Sequence, residues 1–309
     1  MRRLIGATKI DFVSWGPKAL LFSAAAMLSS ALALGLLGLN FGLDFTGGTV
    51  IEVGYPQAVE IPEVRRALAE AGYGGAQTQY FGTAQDILIR VAPREGEDSA
   101  QVSSEILAAL QAQDAGATMR RVEFVGPQVG DELVEDGGLA LLYALIMILI
   151  YVTLRFEWRL AVGTIAAIVH DVVFTLGFFA LFQVTFDLTV LAALLAVIGY
   201  SVNDSVVVLD RIRENFRKLR RGSPAEVVNQ SVNQTLARTL MTSLTTLLAV
   251  VVLLLFGGPV IRDFALALLV GVVVGTYSSI FIASITALRL GLSRDDLLPK
   301  TAAEVDDRP

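Results

Sequence analysis

The stretch Gly199-Tyr-Ser-Val-Asn-Asp-Ser-Val-Val-Val-Leu-Asp-Arg-Ile-Arg-Glu-Asn215 decides how the chain is read. Its first half continues an apolar run that reads as membrane-buried, yet it holds Ser201, Asn203, Asp204 and Ser205. A carboxylate at a bilayer centre costs roughly 2.5–3.5 kcal/mol on insertion scales, so an acid kept there marks a pathway or relay by default. Asp204 lies seven residues before Arg211, where a basic cluster opens. At the helical rise that is about 10 Å inside the membrane from the basic side.

Working outward, apolar runs of the ~20 residues needed to cross a bilayer recur along the chain. Six are read: Ala19–Leu39, Leu139–Leu154, Leu160–Phe182, Leu188–Leu209, Leu240–Phe256 and Phe264–Leu288. Of 309 residues, 54% are hydrophobic and 17% charged, which fits a polytopic membrane protein and not an ordinary soluble domain. The first run is expected to stay attached, because it lacks a small-residue cleavage site before a polar start. The formal net charge of -6 hides a pattern, with acids in one polar stretch and the tail and bases beside the apolar runs. The absence of cysteine excludes disulfides, Cys–zinc sites and cysteine catalysis.

Lys and Arg near the runs set the expected orientation. Arg2, Arg3, Lys9 and Lys18 precede the first, and Arg155 and Arg159 separate the second from the third. Arg211, Arg213, Arg217, Lys218, Arg220 and Arg221 separate the fourth from the fifth, and Arg289, Arg294 and Lys300 follow the sixth. Both termini are therefore expected in the cytoplasm. The expected divisions are a cytoplasmic segment 1–18, a first span 19–39, a periplasmic domain 40–138, five further spans within 139–288 and a cytoplasmic tail 289–309.

The segment between the first two runs has its own periodicity. Thr49–Tyr55 reads as a strand, and Ile61–Ala71 as a helix with Pro62 in its first turn. Ala76–Phe81 and Asp86–Ala92 read as strands around Gly82-Thr-Ala. Asp98 or Ser99 is expected to cap a helix to Gln113, and Thr118–Val125 reads as a last strand. The order βαββαβ is the ferredoxin-like α+β pattern.

The candidate chemistry centres on Asp204. Ser201, Asp204, Ser205 and Val208 share one helical face. Two readings fit: an ion-responsive acid, or a helix–helix clamp in which Asn203 and the serines supply interhelical hydrogen bonds. Arg238 opens a hydroxyl-rich stretch with Thr239, Thr242 and Thr246 at helical spacing, at a depth that could approach Asp204. It either pairs functionally with Asp204 or snorkels to the headgroups. His170, the single histidine, and Asp171 lie mid-span. Neighbours on a helix point about 100° apart, so they are not automatically a pair. A proton relay and a structural hydrogen bond both remain open. No metal site is expected from one His and no Cys. Gly126, Pro127 and Gly130 suggest a hinge between outer domain and second span. Gly42-Leu-Asp-Phe-Thr-Gly-Gly48 lacks the ending of a phosphate loop and reads as a connector. The basic clusters are explained by topology, without nucleic acid.

Gly42–Gly48, Val125-Gly-Pro-Gln-Val-Gly130, His170-Asp171, Gly199–Asn215 and Arg238-Thr-Leu-Met-Thr-Ser-Leu-Thr-Thr246, in this order, resemble motifs of the SecD/SecF family of bacterial protein-export membrane proteins. The resemblance runs from about Asp11 to Leu292 and is to the smaller subunit of the pair. It implies a fold of the resistance–nodulation–division class, a non-enzymatic role and partnership with SecD. It also implies work with the SecYEG channel, YajC, the motor SecA and an unfolded polypeptide in transit at the bacterial inner membrane. The proton-motive force, or sodium in some relatives, would drive that export, with no cofactor beyond the coupling ion. In the family the positions of Asp204 and Arg238 act in ion flow, with an acidic partner expected on SecD. A small-molecule exporter of the same class and a purely structural scaffold are the competing expectations.

Overall fold

The computed structural model describes residues 8–93, 99–219, 222–294 and 296–297. Asp98, Arg2, Arg3, Arg220, Arg221, Lys300 and most of the tail fall outside those residues.

The first helix, α1 (Phe12–Leu36), starts seven residues before the apolar run. The cause is local: the Asp11 carboxylate accepts from Ser14 N at 3.1 Å and caps the helix. Its entry is also tied to a distant helix. Asn229 Oδ1 accepts from Phe12 N at 2.8 Å, and Asn233 Oδ1 accepts from Ile10 N at 3.0 Å.

A short strand β1 (Asn40–Phe41) and a single turn α2 (Leu43–Thr46) then lead to the α+β unit. That unit runs β2 (Gly48–Gly54), α3 (Ile61–Glu70), β3 (Gln77–Phe81), β4 (Thr83–Val91), α4 (Ser99–Gln113) and β5 (Thr118–Val125). All neighbours pair antiparallel in the order β3-β4-β2-β5. The hairpin is tighter than expected, because Gly82 alone turns it at φ +83°. One sheet face carries Ile51, Val53, Ile87 and Ile89, which pack on Val64 and Leu68 of α3 and Ile106 and Leu110 of α4. Alternation sends Val50, Glu52, Leu88 and Arg90 to the other face, which looks onto the helix bundle across a cleft of about 810 Å³. Arg90 Nη2 donates there to Thr185 Oγ1 at 3.4 Å. Burial lowers the Arg90 pKa, and Asp187, Asp263 and Asp44 oppose that shift.

Five long helical segments complete the bundle: α5 (Pro127–Arg155), α6 (Trp158–Phe182), α7 (Leu188–Lys218), α8 (Pro224–Phe256) and α9 (Pro259–Ser278). A π-helical turn Ser279–Ala283 continues α9 into α10 (Ser284–Arg289). With α1, these give six stretches long and apolar enough to span a membrane. The helices α6, α7 and α9 form the inside, while α1, α5 and α8 turn most of their surface outward.

The helix starts have identifiable causes. The α7 N-terminus is capped by Asp187, whose Oδ1 accepts from Val190 N at 2.9 Å. Asp44 Oδ2 accepts from Leu188 N at 3.0 Å, so the glycine-rich Gly42–Gly48 segment serves that helix start and is more than a connector. Ser223 and Glu226 form a capping box that starts α8 sixteen residues before Leu240. The residues expected at a hinge lie at the start of α5. Gly126 is the N-cap of α5 and Pro127 its first residue, which joins β5 directly to the helix. Gly130 lies inside that helix, where a Cβ would meet Gly47 N at 3.1 Å and Phe45 O at 3.2 Å. That close approach accounts for a glycine at this position.

Close helix approach recurs inside the bundle. A Cβ on Gly177 would stand 2.2 Å from Ser30 Cβ and 2.6 Å from Ser30 Cα, so α1 and α6 touch through small residues. Gly177→Val should lower stability by about 1–3 kcal/mol by overpacking this contact. A thermal midpoint of the purified chain unchanged by the substitution would contradict that packing.

Candidate functional site

Four helices bring polar side chains into the bundle interior. On α7, Ser201 and Ser205 are fully buried and Asp204 is 2% exposed. The shared face read from spacing is therefore an inner face. Asn203 is the exception: it is exposed, because it sits one residue, and so about 100°, off that face. It does not join the polar cluster.

Asp204 meets α8. On that helix Thr242 and Arg238 lie near its carboxylate. Thr239 is buried beside them at 1% exposure. Three buried oxygens of this seam have no hydrogen-bond partner among the described residues: Asp204 Oδ2, Ser205 Oγ and Thr239 Oγ1. Thr242 Oγ1 turns back to the carbonyls of Arg238 and Thr239 at 3.2 and 2.9 Å. Arg238 itself is exposed, on the outward face of α8 that also carries Met241 and Thr245. The seam thus combines an under-satisfied buried acid with a cation open to whatever packs against α8.

Asp171 occupies the opposite condition. It is 1% exposed and its Oδ2 accepts from Ser201 Oγ at 2.5 Å and from Ser278 Oγ at 2.7 Å. The His170 Nδ1 lies 3.0 Å from Asp171 Oδ1, a donor distance with the proton on Nδ1. The two neighbours do pair, with the imidazole packed near the rings of Phe174 and Tyr277. Asp171 therefore joins α6, α7 and α9 at one point. The connection reaches Ser201, one turn before Asp204 on the same face. The π-helical turn begins directly after Ser278. Such turns are often found at functional sites.

A hydroxyl chain escaped the sequence reading. Tyr200 OH donates to Ser243 Oγ at 3.0 Å, and Ser243 Oγ lies 2.7 Å from Thr276 Oγ1, linking α7, α8 and α9. Its only signal was the run of small polar residues Thr276-Tyr-Ser-Ser279 in an otherwise apolar helix. At the basic end, Asn215 Nδ2 donates to Ser231 Oγ at 2.8 Å and Gln234 Oε1 at 2.9 Å, which makes it a buried clamp between α7 and α8. Among the described residues no group of three or more His, Cys, Asp or Glu is arranged to hold a metal.

Comparison with known proteins gives this arrangement a family. The model for "Protein export membrane protein SecD/SecF, C-terminal" matches residues 105–293, and that for the "SecD/SecF GG Motif" matches residues 32–59. The chain is 48% identical to the protein translocase subunit SecF of Vibrio alginolyticus, over 100% of both chains. It is 50% identical to the Pseudomonas aeruginosa protein of the same name, over 93% of this chain and 94% of that one. Among solved structures it resembles SecDF of Thermus thermophilus, a translocon-associated membrane protein, with TM-score 0.81 and 41% identity over 93% of this chain. A SecDF structure in a super-membrane-facing form gives TM-score 0.67 at 41% identity over 92% of this chain. The chain spans 39% of the length of each of those two solved proteins. With family models covering both the glycine-rich segment and the helix bundle, and relatives matched end to end, the chain belongs to the SecD/SecF family of protein-export membrane proteins.

Proposed function

We propose that the chain is the SecF-type subunit of a SecD–SecF pair that uses the proton-motive force, or a sodium gradient, to assist SecYEG-dependent protein export. The observation that carries this reading is the α7–α8 seam. Buried Asp204 keeps an oxygen without a partner, while Arg238 stands exposed on the neighbouring helix. An uncompensated buried carboxylate and an open cation in apolar surroundings call for a further polar group. SecD is the proposed source. Asp204 is the ion-responsive acid, Arg238 its electrostatic partner, and Thr239, Thr242, Ser201 and Ser205 line their surroundings. His170 and Asp171 serve as a positioning group for α7.

The basic clusters favour a bacterial inner-membrane protein with both termini in the cytoplasm and the α+β unit in the periplasm. Its strand order supports a ferredoxin-like periplasmic domain. With β5 running directly into α5 through Gly126 and Pro127, movement in the bundle is passed to the sheet. YajC and SecA are proposed as further partners, the unfolded polypeptide as cargo, and no resident cofactor beyond the coupling ion.

The test combines co-purification with SecD and an export assay under an imposed gradient. Arg238→Met should co-purify normally and lose most gradient-dependent stimulation of export. Full activity in that variant would return Arg238 to a snorkelling role and leave a structural scaffold as the better reading.

A further inference from the structure

A second charged cavity lies on the basic side, away from the Asp204 seam. Arg155 at the end of α5, with Asp210, Arg213, Glu214, Arg217 and Lys218 on the last turns of α7, lines a space of about 370 Å³. Four cations face two carboxylates, and the carboxylates are already engaged. Asp210 Oδ2 accepts from Arg155 Nη2 at 2.6 Å, and its Oδ1 lies 3.4 Å from Arg213 Nη2. Glu214 accepts from Arg211 at 2.8 Å and from Lys218. The guanidinium groups are held in place. Those of Arg155 and Arg213 lie 5.2 and 5.9 Å from the Phe156 ring centre. Arg213 Nη1 donates to the Arg155 carbonyl at 3.2 Å, and Arg217 Nε to the Leu297 carbonyl at 3.0 Å. The cavity is therefore a pre-formed cationic one, and planar guanidinium forks suit phosphate oxygens.

What stands beside the cavity narrows the anion. Met147, Tyr151 and Leu154 are 65%, 48% and 84% exposed. Their spacing puts them on one strip of α5 that leads from Arg155 into the apolar span. Trp158, 55% exposed, opens α6 next to them, with Arg159 over its ring at 4.7 Å. An exposed Trp at that position marks the membrane–water interface. A free phosphate would use the cations alone, whereas a phospholipid would use cavity and strip together. We infer that this corner of α5 and α7 is a binding site for an anionic phospholipid. Its headgroup phosphate sits among Arg155, Arg213, Arg217 and Lys218, and an acyl chain lies along Met147, Tyr151 and Leu154. Basic pockets between membrane helices are a general means of headgroup recognition.

The test is native mass spectrometry of the full chain purified with SecD, titrated with phosphatidylglycerol, phosphatidylcholine or inorganic phosphate. Wild type should retain phosphatidylglycerol over phosphatidylcholine by about tenfold or more, given the pull of several surface cations. The double variant Arg155→Gln/Arg213→Gln should lose that preference, and Asp210→Asn should strengthen it by removing a competing charge. Because the double variant risks misfolding, Lys218→Gln, which removes only a contact to Glu214, should lower the preference by a few-fold. Opposite signs for Asp210→Asn and Lys218→Gln separate recognition from damage. Equal retention of both lipids, or an unchanged preference in Asp210→Asn and Lys218→Gln, would overturn the site. So would displacement of phosphatidylglycerol by millimolar phosphate, or retention only when SecD is absent.

Discussion

Replacing Asp204 with Asn is expected to abolish gradient-dependent stimulation of export while the chain stays folded, inserted and bound to SecD. The side chain keeps its size, so the inner face of α7 repacks little. The charge that disappears is one the fold satisfies poorly, since Asp204 Oδ2 has no hydrogen-bond partner among the described residues. Removing an under-satisfied buried charge should leave the thermal midpoint unchanged or raise it. Loss of function with equal or higher stability is the signature of a group retained for its charge. Export is compared at matched protein levels with and without an imposed gradient, alongside thermal unfolding of the purified complex. Normal gradient-dependent export by the Asn variant would remove Asp204 from the mechanism, and a large drop in stability would return it to a helix clamp.

Asp171→Ala should behave in the opposite way, as a stability mutant. Three contacts meet at that carboxylate, from Ser201, Ser278 and His170. Interhelical hydrogen bonds in membrane bundles average about 0.6 kcal/mol and reach about 1.7, so their joint loss should cost about 2–5 kcal/mol. Ser201→Ala and Ser278→Ala should each remove a fraction of that, and the two should couple in a double-mutant cycle because they share one acceptor oxygen. Thermal unfolding of the full chain with SecD measures all of these. An Asp171→Ala chain as stable as wild type, but inactive, would recast Asp171 as part of the relay itself.

These two aspartates show where the sequence could be read and where it could not. Each was visible as an expensive charge in an apolar run, and helical spacing correctly grouped Ser201, Asp204 and Ser205 on one face. What spacing could not give is which helices meet. Ser278 lies 107 residues from Asp171, and only assembly of the bundle brings them together. Asn203 was drawn into the polar group by its chemistry, yet one helical step put it outside. Spans and strands were legible because periods of 3.6 and 2 follow from burial. Two helices start well before their apolar runs because the cap lies upstream in a polar segment, at Asp11 and Ser223. The close approach of the Gly47 and Phe45 backbone to Gly130 is likewise a contact that spacing along the chain does not carry.

The coupling of an ion gradient to export is proposed to rest on a charge change at Asp204. Its most direct test is ion flux through the purified SecD–SecF-type complex in proteoliposomes under an imposed pH or sodium gradient. Wild type should pass one of the two ions when export substrate is engaged, and Asp204→Asn, present at equal density and orientation, should pass neither. Equal flux through both proteins would contradict the account.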